Sequence, residues 1–181
     1  MANSLELTSE VHDKLWGHLL QGDQQQVAFI FAHAVEGGDG VVFRGREVYL
    51  VRAHDLLVQA SYHVSLTDEI QATIIKMAWE KGLALVEFHS HPRGTGPAQF
   101  SASDLSGLYE FVPHVRWRLK GQPYLAIVVG SSDFDGLVWR KGSPEDLDHM
   151  LVGDRIVWPT GLTLEARRRR PSKADGRISF S

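Results

Sequence analysis

Apolar positions near the start of the chain recur at helical spacing. Leu7, Val11, Leu15, Leu19 and Leu20 fall on one stripe, the pattern of a helix that buries one face. Thr8 or Ser9 stands where a cap is needed, Glu10 lies in the first turn and Gly22 follows the end, so an amphipathic helix is expected first. The period then changes. "VAFIFAHAV" (27–35) is a mainly apolar run rich in branched and aromatic residues, which predicts a buried strand. The glycine-rich "EGGDG" leads into "VVFRGREVYLVRAHDLLVQASYHVSL" (41–66), predicting an antiparallel hairpin and at least one further strand.

From Thr67 the helical period returns. "TDEIQATIIKMAWEKG" sets Ile70, Ile74, Met77 and Ala78 on one stripe, with Thr67 as cap, two acids in the first turn and Gly82 at the close. This helix feeds the strand "LALVEF". A short helix after Ser101, strands in "PYLAIVVG" and "FDGLVWR", and one in "RIVW" complete the pattern. The expected architecture is α+β, a mostly antiparallel sheet with helices packed on it. After about Trp158 the chain turns polar and basic, ending "ARRRRPSKADGRISFS". Residues 1–158 are therefore expected to form the domain and 159–181 a flexible tail, with Arg167–Arg170 as a solvated run.

Composition narrows the chemistry. At 181 residues, 43% hydrophobic and 23% charged, the chain can build one full core without a metal or disulfide to replace it. Nineteen basic and 22 acidic residues leave a net charge of −3, no field that would gather nucleic acid or an anionic membrane. Cysteine is absent, which removes disulfides, thiolate zinc sites and a cysteine nucleophile, and leaves His, Asp and Glu as metal ligands. The N-terminal "MANSLELTSEVHDKL" lacks the basic and apolar segments of a secretory signal, so a soluble cytoplasmic protein is expected. The glycine-rich stretches lack the phosphate-binding frames and no G-x-S-x-G elbow occurs. His33, His54 and His63 have no partners at ligand spacing and read as structural. Trp117 is expected to pack inward, with Arg116 and Arg118 facing water.

One stretch stands apart: "LALVEFHSHPRGTGPAQFSASDL", Leu83 to Leu105. His89 and His91 are two apart on an extended strand, so their imidazoles leave the same face about 7 Å apart at the backbone. Pro92 offers no amide hydrogen and ends the ladder, and the "RGTGPAQ" loop turns the chain. Ser101 then stands as an N-cap, with Asp104 three positions later in the first helical turn. Two imidazoles and one carboxylate are three ligands for Zn2+ with a fourth position left open, the pattern of a hydrolytic rather than a structural site. Taken singly, the same residues would be surface histidines, a cap and a helix-start acid.

The sequence "HSHP" followed by "SASD" resembles the signature of the JAMM metalloproteases, also called the MPN family: H-[ST]-H-P, a short loop, then S-x-x-D. The resemblance runs from about Gln26 to Trp139. "EFHSHP", "PHVRWRL" and "PYLAIVVG" look most like bacterial members found beside ubiquitin-like modifiers and their activating enzymes. It implies a single JAMM/MPN-like domain with a curved sheet, zinc on His89, His91 and Asp104, and a Ser101 hydroxyl that helps hold an oxyanion. It also implies isopeptidase activity on a ubiquitin-like substrate, with modifier-activating or conjugating enzymes as further partners. Where the family has a catalytic glutamate near the start of the first long strand, "QVAFIFA" puts Gln26, or alternatively Gln25. An amide has no useful basicity. Gln26 is an introduced near-isosteric replacement, a natural change that leaves a binding module, or a sign that another carboxylate, Glu36 or Glu87, takes the role.

Overall fold

Residues 1–59 and 64–169 are described by a computed structural model of the chain. A short strand, β1 (Ser4–Leu7), precedes helix α1 (Ser9–Leu19). The hairpin β2 (Val27–Glu36) and β3 (Val41–Leu50) follows, closed by Gly37 N–H donating to Gly40 O at 2.8 Å. A 3-10 turn at Ala53–Asp55 leads to a separate ribbon of β4 (Leu56–Gln59) and β5 (Val64–Leu66). Next come α2 (Asp68–Lys81), β6 (Ala84–Ser90), α3 (Ala102–Arg118), β7 (Tyr124–Val129) and β8 (Phe134–Trp139). Strands β9 (Glu145–Asp146), β10 (His149–Val152) and β11 (Arg155–Val157) and helix α4 (Leu162–Arg169) finish the described chain.

Nine strands form one sheet in the order β11-β10-β1-β3-β2-β6-β7-β8-β9. Most neighbours are antiparallel; β1 runs parallel to β3 and β10, and β6 parallel to β7. The protein is thus α+β, as expected. The parallel β6–β7 pair requires a crossover, which α3 supplies. The register shift opposite Phe31/Ala32 leaves Arg46 unpaired between Gly45 and Glu47, a bulge that bends β3.

The central strands are buried on both faces, which is why they read as apolar runs rather than alternating ones. On one face Ala28, Ile30, Val86, Phe88 and Ile127 meet Leu15 and Leu19 of α1. On the other Val27, Phe29, Leu85, Ala126 and Val128 meet Ile70 and Ile74 of α2 and Val112 and Val115 of α3. Both predicted caps form: Thr8 Oγ1 accepts from Val11 N–H, Thr67 Oγ1 from Ile70 N–H, and Gly82 ends α2 at φ 65°.

Several expectations need correction. Leu7 belongs to β1, not to the first helix, because β1 fills a slot between β3 and β10. Asn3 fixes it there by donating to Glu145 and accepting from Val41 N–H. The helix after Ser101 is long, 17 residues, and carries Pro113 inside it; burial of Leu108, Val112, Val115 and Leu119 at spacings of three and four sustains it. Trp117 is 76% exposed, off the phase of that buried stripe. Arg116 instead turns in, donating to the carbonyls of Gly121, Gln122, Arg140 and Lys141. The domain does not stop at Trp158. Thr163 and Leu164 are buried, and Arg167–Arg169 lie on α4, while Arg170 and the remainder of the expected tail, like His63, fall outside the described residues. No helix among the described residues is long and apolar enough to cross a membrane.

Candidate metal centre

β6 delivers the first candidate ligand. Leu85, Glu87 and His89 alternate with Val86, Phe88 and Ser90, and the former set faces α2 and α3. His89 is at the strand's end, nearly buried. His91 follows Ser90 and stays in line because its N–H donates to Val129 O at 2.8 Å. Pro92 then ends the pairing, and the chain returns through the glycine loop to α3.

The first turn of α3 delivers the third candidate ligand. Ser101 and Asp104 form a reciprocal cap: Asp104 N–H donates to Ser101 Oγ (3.0 Å), and Ser101 N–H to Asp104 Oδ2 (2.9 Å). That cap orients the carboxylate back toward the strand end. Asp104 Oδ2 is 3.2 Å from His89 Nε2 and 3.1 Å from His91 Nε2. The two rings lie 5.0 Å apart at 70°. One ligand atom from each of the three residues lies within 4.8 Å of the others, so the strand end and the helix turn do converge.

The donor set fits a divalent cation. Tetrahedral zinc with bonds of about 2.0–2.1 Å separates its ligand atoms by about 3.3 Å, close to the two nitrogen–oxygen distances. His89 Nε2 is buried and makes no hydrogen bond; Asp104 Oδ2 lies 3.2 Å from it. A buried polar atom without a partner is costly, and an ion between these groups would satisfy it. The hard carboxylate and two imidazoles suit zinc or a similar first-row metal.

Electrostatics bind the cluster together. Burial by itself would raise the Asp104 pKa, but His89, His91 and the Ser101 amide outweigh it and hold the carboxyl well below the usual range. Burial would lower that of His89; the Asp104 and Glu87 carboxylates reverse the sign, so it rises. Glu87 sits deeper on the same face, beside the ligands but not among them. Burial pushes its carboxyl up, partly offset by His89 and by the Tyr124 hydroxyl that donates to Oε1 at 3.1 Å.

The register locates the glutamines. Val27 pairs with His89 and Ala28 with Phe88, so extending the ladder sets Gln26 opposite Ser90 and Gln25 opposite His91. Gln26 N–H donates to Ser90 Oγ (3.0 Å) and Ser90 N–H to Gln26 O (3.1 Å). Alternation gives Gln26 the parity of Ala28 and Ile30, on the α1 face, and gives Gln25 the parity of Val27, on the face of His89. Gln25 is buried. The site-facing position therefore goes to Gln25, the alternative of the two. Glu36, at the opposite end of β2 and paired with Val41, is far from the cluster.

A groove of about 510 Å³ opens onto the cluster. Val27, Glu87 and His89 form its floor, Ser65 and Leu66 of β5 one wall, and Ser103, Gly107, Glu110 and His114 of α3 the other. Gly107, Glu110 and His114 were not anticipated; their successive spacing of three to four after Asp104 was the available signal.

No protein-family model and no curated protein matches the chain. Among solved structures it is similar to the solution structure of protein DSY2949 from Desulfitobacterium hafniense, at 20% identity and a TM-score of 0.47, covering 83% of this chain and 94% of that one. That likeness is too loose to carry a fold or a function from one to the other.

Proposed function

We propose that the chain is a zinc metallopeptidase of the JAMM type, built to cleave the amide or isopeptide bond after the C-terminus of a ubiquitin-like modifier and lacking its general base. The observation that carries this reading is the convergence of His89, His91 and Asp104 around a buried nitrogen with no hydrogen-bond partner. Zinc bound there supplies a Lewis acid that polarises a carbonyl and activates water. Ser101 is chemically suited to the developing oxyanion: its oxygen accepts from Asp104 N–H, which leaves the hydroxyl proton to donate outward. The groove gives an extended tail a path past Gly107, and the edge of β5 offers main-chain pairing along it. Gln25, on the site's face, can orient water but cannot take its proton, a deficit of about 10²- to 10⁴-fold in rate.

The same glutamine favours a second reading, a non-catalytic module that holds the modifier in the groove. Cleavage of ubiquitin-like modifier fusions by the chain as it stands, by Gln25→Glu and by Gln26→Glu separates the two. Activity appearing in Gln25→Glu alone supports the peptidase; zinc binding with no cleavage by any form supports the binder.

A further inference from the structure

The connection between the two halves of the metal centre, residues 92–100, is gripped from behind by segments far along the chain. Ala98 N–H donates to Asp133 Oδ1 (3.0 Å), and the Thr160 hydroxyl donates to Ala98 O (2.6 Å). One step nearer the ligands, Phe100 N–H donates to Thr163 Oγ1 (3.0 Å). The amide can only donate, so the Thr163 hydroxyl proton is left for Asp135 Oδ2, at 2.6 Å. Asp135 also accepts from the amides of Gly136 (2.9 Å), Gly161 (3.0 Å) and Thr163 (3.0 Å). Both side chains of the pair are nearly inaccessible, 1% for Asp135 and 3% for Thr163. Phe100, fixed through its amide, lays its ring 5.6 Å from that of His89 and immediately precedes Ser101.

We propose that Asp135 and Thr163 are positioning residues of the metal centre, setting Phe100 and, through it, the His89 ring and the Ser101–Asp104 turn. The segment entering α4 is then the back wall of the site rather than the start of a tail. This inference rests on the metal-centre reading and extends it to Asp135 and Thr163, 31 and 59 positions after Asp104. If the pair served only to satisfy its own polar groups, zinc and this segment would be indifferent to each other. If it positions ligands, the coupling must be reciprocal: zinc steadies the segment, and loosening the segment weakens zinc.

Hydrogen exchange across residues 96–101 and 159–169 of the full chain, with and without zinc, and calorimetric zinc titration of the wild type, Thr163→Val and Thr163→Ser test both directions. Zinc should slow exchange in both segments of the wild type. Thr163→Val, folded by circular dichroism, should bind zinc about 10- to 100-fold more weakly and lose the protection of 159–169, and Thr163→Ser should restore both. Unchanged exchange in the wild type on zinc binding overturns the proposal even if the valine variant fails to fold, as does a folded Thr163→Val with wild-type zinc affinity. A wild type that binds no zinc overturns the metal reading itself, and this inference with it.

Discussion

Asp104→Asn separates the two roles that Asp104 combines, as ligand and as half of a helix cap. The asparagine amide oxygen can still accept from Ser101 N–H, now 2.9 Å from Oδ2, so the α3 cap survives. What disappears is the negative charge 3.1–3.2 Å from two imidazole nitrogens and a carboxylate ligand. In the metal-free chain the loss is appreciable, because the two side chains are only 8% (His89) and 19% (Asp104) exposed and removing one partner of so sheltered a pair costs about 3–5 kcal/mol, a melting drop of roughly 6–20 °C for a chain of this size. With zinc the contrast is larger. Free zinc at 100 times its dissociation constant stabilises the native state by about 2.7 kcal/mol, roughly 5–11 °C here. The assay is a thermal melt by circular dichroism with zinc and with chelator. Wild type should show the full zinc shift, and Asp104→Asn should melt below wild type in chelator and show almost no further shift with zinc. Asp104→Ala, lacking the acceptor as well, should fall further in chelator. An asparagine variant with the wild-type zinc shift would refute the ligand assignment.

Other consequences are as direct. Ser101→Gly should cost only a few tenths of a kcal/mol, since glycine is tolerated at an N-cap. In a Gln25→Glu background that cleaves, it should lower kcat about 10²- to 10³-fold; loss of stability without loss of kcat would leave Ser101 as a cap only. Tyr124→Phe removes the donor to half-buried Glu87 and should cost about 1–3 kcal/mol in denaturant unfolding. The raised His89 pKa means that its proton competes with a metal at a pH above the ordinary histidine value of 6.5. Zinc affinity measured by competition titration should therefore fall as pH decreases and begin to fall above 6.5. A flat affinity from pH 8 to pH 6 would contradict the sign.

Local sequence determined much of this protein. The caps at Thr8, Thr67 and Ser101, the left-handed close of α2 at Gly82, the hairpin around "EGGDG" and the buried central strands all follow from interactions within a few residues or from burial on both faces. The candidate ligand trio was legible for the same reason: strand alternation aims His89 and His91 one way, and the Ser101–Asp104 cap aims the carboxylate by local hydrogen bonds.

Only the tertiary structure decided what depends on partners distant in sequence. β1 exists because β3 and β10 flank it; the alternation of Leu5 and Leu7 is too short to set a strand apart from the start of the helical stripe. Trp117 points outward because the buried stripe of α3 runs through Val112, Val115 and Leu119, a phase that the interrupting Gly107 and Pro113 obscure. Which glutamine shares the face of His89 turned on the β2–β6 register, since a shift of one residue exchanges the faces of a strand. The polar stretch after Trp158 gave no sign that Thr163 would be buried, because the group that satisfies its hydroxyl, Asp135, stands 28 positions earlier in the chain. Polar residues read as tail until a partner removes them from water, and that partner is supplied by the fold.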